Sequence, residues 1–163
     1  VFFRRIELLD ADGLPSTELD VRKDFFIHME YESPRPVKPV ELGIRVLTTD
    51  GAPVMTSLLS DSEPTALDSE KHGVYRATVK IPEMFLMPGS YLINVSAHAA
   101  VGEVFDHLPG VFSFTVLDTG TNYTKYQHNH LLGVVMRTLE WHDKNVASPA
   151  LREDFSAATS AIR

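Results

Sequence analysis

The sequence predicts an all-β domain, a jelly-roll-like antiparallel β-sandwich with a short C-terminal helix. Three observations predict it. Apolar residues alternate with polar ones at period two in short runs. Gly, Pro and Asp punctuate those runs at close intervals. No helical pattern of crossover length separates one run from the next before the C-terminal tail. Strands that each carry one apolar face must stack two sheets or close a barrel to bury it.

The elements follow in order. Phe2, Ile6 and Leu8 share one face of a first strand, closed by Asp10-Ala11-Asp12-Gly13. Phe25, Ile27, Met29 and Tyr31 alternate with Phe26, His28, Glu30 and Glu32. Ser33-Pro34-Arg35-Pro36 is expected to stop that strand, because proline removes a ladder donor. Val40, Leu42, Ile44 and Val46 form the next apolar face, and Asp50-Gly51 is a hairpin-type turn leading into a short strand over 53–59. Residues 60–73 are polar and read as a loop. Tyr75, Ala77, Val79 and Ile81 alternate in one strand and, after Pro88-Gly89, Tyr91, Ile93, Val95 and Ala97 in another. Strands over 103–108 and 111–117 are separated by Pro109-Gly110. A polar linker over 118–129 leads to a last strand at about 131–142. In the tail, Ser148 and Pro149 suit a helix start, and Leu151, Phe155, Ala158 and Ile162 recur at helical spacing. The expected organisation is a sandwich domain over 1–142 and a tail over 143–163.

Composition narrows the function. The 163 residues carry a net charge of −7, so there is no basic footprint for nucleic acid or anionic lipid. The absence of cysteine excludes a disulfide framework, a thiolate metal site and a cysteine nucleophile, and fits a reducing compartment. No apolar run is long enough to span a bilayer, and no signal peptide opens the chain. The start at Val1, directly in a strand, reads as a cut from a longer protein. There is no phosphate-binding loop of the G-x-x-x-x-G-K-[ST] type and no G-x-S-x-G nucleophile elbow.

Two residue sets bear on function. Arg76, Thr78, Asn94, Ser96 and His98 sit at alternate positions opposite apolar partners, which points them out of the sandwich on what read as neighbouring strands. Planar amide and guanidinium groups on such a face match the dense donors and acceptors of a saccharide. The plain alternative is a solvated sheet face. The second set is His128-Asn129-His130, whose spacing places two imidazoles on one face of a strand. It resembles the His-x-His of cupins, but the next carboxylate, Glu140, lies ten positions on, so a cupin-like metal-dependent enzyme using His128, His130 and Glu140 is only the rival reading. No cofactor and no metal is expected. The last strand carries Arg137, Leu139 and Trp141 on one face, and the long linker before it lets that strand reach a distant edge or another chain.

Arg5 to Gly13, Gly73-Val74-Tyr75-Arg76-Ala77 through Ile81-Pro82, Leu86-Met87-Pro88-Gly89-Ser90-Tyr91-Leu92, Gly110 to Val116 after the loop bearing Asp106, and Gly133-Val134 through Trp141 follow one another along the chain. In that order and spacing they resemble the C-terminal domain of Wzt-type ATP-binding subunits of O-antigen polysaccharide ABC exporters. The resemblance implies a non-catalytic β-sandwich that binds the exported glycan, commonly at its non-reducing end. It also implies a homodimer with exchanged C-terminal strands, and tethering to a nucleotide-binding domain and a transmembrane exporter subunit. The implied location is cytoplasmic, peripheral on the inner face of the inner membrane. The expected carbohydrate-binding residues are Arg76, Asn94 and His98 on the sheet face, with His130, Arg137 and Trp141 from the terminal strand. A ligand-free dimerisation domain is the remaining alternative.

Overall fold

The computed structural model describes residues 1–68, 70–99, 102–126 and 132–143. Among them are eight strands: β1 (Phe2–Leu9), β2 (Glu18–Asp20), β3 (Phe25–Val37), β4 (Glu41–Thr48), β5 (Pro53–Leu58), β6 (Lys71–Ile81), β7 (Gly89–His98) and β8 (Val104–Leu117). One turn of helix, α1 (Leu59–Ser62), follows β5. The strands form two layers, a three-stranded sheet ordered β1-β3-β6 and a five-stranded sheet ordered β2-β8-β7-β4-β5. Every pairing is antiparallel except the short parallel ladder of β2 with β8. The architecture is thus the expected antiparallel sandwich. Only β4–β5 and β7–β8 are hairpins in one sheet; every other connection changes layer.

The inner faces follow the alternation read from the sequence. Ile27, Val46, Ile93 and Val95 are fully enclosed. Phe114 anchors one end of the core, its ring 5.6 Å from those of both Phe25 and Tyr91. A smaller cluster of Tyr31, Val40, Leu42 and Ala97 fills the other end, where Tyr31 and Tyr75 stack at 5.5 Å. The backbone N–H of Phe3 donates to Asp106 Oδ2 at 2.9 Å, tying β1 to β8 across the layers.

Several expectations need correction. Phe2 is not on the face of Ile6 and Leu8: a register shift between Phe3 and Arg5 turns it outward, 43% exposed. Ser33-Pro34-Arg35-Pro36 does not end β3. The ladder to β6 slips between Ser33 and Val37, so the prolines fall where no cross-strand bond is needed, and the Ser33 hydroxyl donates to the Arg35 carbonyl instead. Similarly, Pro109-Gly110 does not split a strand. It lies in a bulge of a continuous β8, opposite Asn94. β2 is too short for its alternation to register, and β6 starts at Lys71, inside the expected loop.

The expected terminal strand over 131–142 is not a regular strand in the described residues 132–143. That segment makes one antiparallel bridge, Val135 with Leu86, flanked by bonds from Met87 N to the Val134 carbonyl and from Met136 N to the Phe85 carbonyl. Met136 enters the core at 3% exposure. Beyond it, Arg137 to Asp143 is exposed. The expected C-terminal helix lies outside the described residues.

The Tyr91 hydroxyl donates to the Met87 carbonyl at 2.7 Å, with the Val134 carbonyl 3.3 Å away. Burial pushes this phenol up to about 12. The neutral form is the one the fold holds, so its contribution is full below the unfolded value of 10.0 and is lost as pH rises through about 12. Thermal unfolding between pH 9 and 12 is therefore expected to show a shallower alkaline fall for Tyr91→Phe than for the natural chain. Parallel curves would contradict this.

Candidate functional site

The two outer faces of the sandwich differ in chemistry. On the three-stranded sheet, the register aligns Arg5, Glu30 and Arg76 in one row and Glu7, His28 and Thr78 in the next. Here the cations already have partners. Arg76 Nε lies 3.2 Å from Glu30 Oε2, Arg4 Nη1 lies 3.5 Å from Glu32, and Arg5 Nη2 lies 2.7 Å from Glu7. Exposed pairs of this kind contribute little to stability, about 0–1 kcal/mol each. They do neutralise the face.

The outer face of the five-stranded sheet is built differently. Adjacent rows run Leu58–Gly43–Ser96–His107 and Thr56–Arg45–Asn94, with Glu41 opposite His98 beyond them. The side chains lie on this face because Ile44, Val46, Ile93, Val95 and Ala97 take the alternate, inward positions. They enclose an open trough of about 130 Å³ lined by Gly43, Arg45, Thr56, Asn94, Ser96, His98 and His107.

Local bonds fix what these groups offer. The Gly110 N–H in the β8 bulge donates to Asn94 Oδ1 at 2.8 Å, which leaves the Asn94 amide N–H groups as donors. Arg45 Nε donates to Thr56 Oγ1 at 3.2 Å, which orients the guanidinium and leaves its terminal nitrogens. His98 Nδ1 is 2.8 Å from the Ala99 carbonyl. A carbonyl only accepts, so Nδ1 carries the proton and neutral His98 presents Nε2 as an acceptor. Glu41 is 3% exposed, lies under α1 and accepts from the Ser60 N–H at 3.1 Å. The trough therefore offers fixed donors and acceptors on both sides of a glycine.

A larger cleft of about 470 Å³ opens between the free edges of β5 and β6. Its floor is apolar, formed by Met29, Leu42, Ile44, Ala77 and Val79. Its rim is polar and charged, with Ser57, Glu63, Lys71, Arg76 and Lys80.

Of the expected site residues, the structure brings together Asn94 and His98. It does not join Arg76 to them. β6 and β7 follow each other in sequence but belong to opposite sheets, so Arg76 faces away on the far side, paired with Glu30. Arg137 and Trp141 lie on the terminal segment, which meets the molecule beside Met87 at the opposite end of β7 from His98. Trp141 is 89% exposed. His130, with His128, lies outside the described residues. Glu140 is exposed, 3.9 Å from His142. The sequence reading missed Arg45, Thr56, His107 and Gly43. The outward position of Arg45 in the alternation of β4, and a glycine in the middle of that strand, were the available signals.

Residues 1–128 match the family model described as the Wzt C-terminal domain. The chain belongs to that family. Wzt C-terminal domains are non-catalytic parts of the nucleotide-binding subunit of polysaccharide ABC exporters. A solved structure entitled "Crystal structure of the C-terminal domain of wzt" superposes with a TM-score of 0.70 at 13% identity, covering 87% of this chain and 83% of the other. At that identity the likeness shows the fold that this Wzt domain shares. A comparison with curated proteins returned no match. Among the described residues, no helix of this Wzt domain is long and apolar enough to cross a membrane.

Proposed function

We propose that the domain binds the polysaccharide destined for export, recognising its non-reducing terminus on the outer face of the five-stranded sheet. One observation carries this reading: Arg45, Asn94, Ser96 and His98 converge around one open trough, each held by the sheet register and three of them by a bond to a neighbouring group. Saccharide hydroxyls both donate and accept, and this set supplies both. The trough is shallow and the contacts displace water, so the expected affinity is weak, roughly micromolar to millimolar.

In the same reading, two copies exchange their terminal segments, and Arg137, Trp141 and His130 add contacts from the exchanged strand. The exposure of Leu139 at 64% and Trp141 at 89% supports this, because large apolar side chains left open in one chain suit cover by another. Two sites per dimer raise the avidity for a chain-bearing surface. The domain then works beside its nucleotide-binding domain and the membrane-spanning exporter subunit, on the cytoplasmic face of the inner membrane.

Isothermal titration tests the reading. The polysaccharide of the producing organism is expected to give a binding isotherm, and an unrelated polysaccharide none. Asn94→Ala removes an oriented amide and is expected to weaken binding about tenfold, the worth of one good hydrogen bond. Absence of heat with both polymers would favour a ligand-free dimerisation domain.

A further inference from the structure

We propose that the row Thr56–Arg45–Asn94 is an oxyanion subsite, and that the saccharide taken by this face is an acidic one, bearing a carboxylate or a phosphate. This rests on the saccharide-binding reading above and names the class of saccharide.

Local bonds decide what the row can offer. The Gly110 N–H can only donate, so it holds Asn94 Oδ1 and leaves the amide with N–H groups alone for a ligand. A guanidinium has donors and no acceptor, so the terminal nitrogens of Arg45 add further donors. Thr56 Oγ1 accepts from Arg45 Nε, which leaves its own hydroxyl proton to donate. Cross-strand neighbours in one row have Cβ atoms about 5 Å apart, so the three groups can serve one ligand group. A neutral hydroxyl would leave most of these donors without partners. A carboxylate or phosphate accepts at each of its oxygens and matches the fork of an arginine.

The charge pattern points the same way. On the three-stranded sheet, Arg5 and Arg76 flank Glu30, the favourable arrangement of opposite charges across strands. Arg45 departs from it. Both its cross-strand partners are neutral, and among the described residues it makes no ion pair. No described residue lining the trough is acidic, whereas the cleft beside β5 holds Glu63 and the hollow on the other sheet holds Glu7 and Glu30. The carboxylate that β4 itself carries, Glu41, is buried under α1 and accepts from the Ser60 N–H. It lies four positions from Arg45, about 13 Å along the strand. In a chain of net charge −7, a cation left uncompensated on such a surface lacks a partner that an anionic ligand supplies.

Isothermal titration tests this with the producing organism's polysaccharide in three forms: native, carboxyl-reduced with carbodiimide and borohydride, and dephosphorylated with hydrofluoric acid. Arg45→Gln keeps the length of the side chain and removes its charge. Asn94→Asp keeps an acceptor for the Gly110 N–H and puts a carboxylate in the row. The native polymer is expected to bind the natural chain with an affinity that falls as salt rises. It is expected to bind each variant at least about tenfold more weakly, while both variants melt within a few degrees of the natural chain. One of the two treated polymers is expected to lose affinity to the same extent, and which one does so identifies the anion. If the native polymer binds the natural chain, Arg45→Gln and Asn94→Asp alike, the oxyanion subsite is overturned and the face reading survives for a neutral saccharide. Equal binding by all three polymers has the same meaning. If no polymer gives heat, both readings fall. Should Arg45→Gln melt far lower, Asn94→Asp and the treated polymers decide.

Discussion

Phe114→Ala is expected to lower the melting temperature by roughly 10 °C, from a loss of about 3–5 kcal/mol. Phe114 is 2% exposed and stands between the two sheets, with the Phe25 ring on one side and the Tyr91 ring on the other. Truncation removes its transfer free energy and opens a cavity that the two neighbouring rings, each held by its own strand, cannot close. Aromatic pairs add about 0.5–1.5 kcal/mol beyond area burial, and here two pairs are lost. Phe114→Leu, which keeps most of the volume, is expected to lose less than half as much. Urea unfolding with an unchanged m-value would confirm that the native state alone is affected. A shift below 2 °C would mean that the core is not organised around this ring.

Deleting residues 129–163 is expected to give a monomer or an insoluble product. The reason is Met136. It is the one buried residue of the described terminal segment, and it packs in the main core with Leu86, Met87 and Tyr91. Its removal uncovers that end of the sandwich, at a cost comparable to Met→Ala in a core, about 2–5 kcal/mol. The same deletion frees the Met87 N–H and the Phe85 carbonyl from their partners. Sedimentation would read the outcome. A soluble dimer of unchanged stoichiometry would remove the exchange of terminal segments from the proposal.

The sandwich was legible because the alternating apolar residues Phe25 to Tyr31, Val40 to Val46 and Tyr91 to Ala97 are buried between the layers, so that part of the core is written directly in hydropathy. The partition into sheets was not. Period two says which side chains share a face, but not which sheet that face belongs to. Arg76 and Asn94 both point outward, yet from opposite layers, because the chain between Pro82 and Pro88 crosses the end of the sandwich. Half of the trough was legible for the same reason: Asn94 and His98 share β7, where spacing is decisive. Arg45 and His107 enter through cross-strand register, a long-range property. The prolines misled because their effect depends on whether their N–H faces a partner, and bulges at Ser33–Val37 and opposite Asn94 remove that need.

The pairing of β2 with β8, with the Phe3–Asp106 bond 103 positions apart, sets when the domain can complete itself. At ribosomal speeds of about 5–20 residues per second, the N-terminal strands wait some 5–20 s for their partner to emerge. Such non-local closure predicts slow folding, on the order of milliseconds to seconds even once the whole sequence is present. A nascent chain stalled before β8 is thus a half-built layer with its apolar side open, and a substrate for chaperones until the last strand arrives.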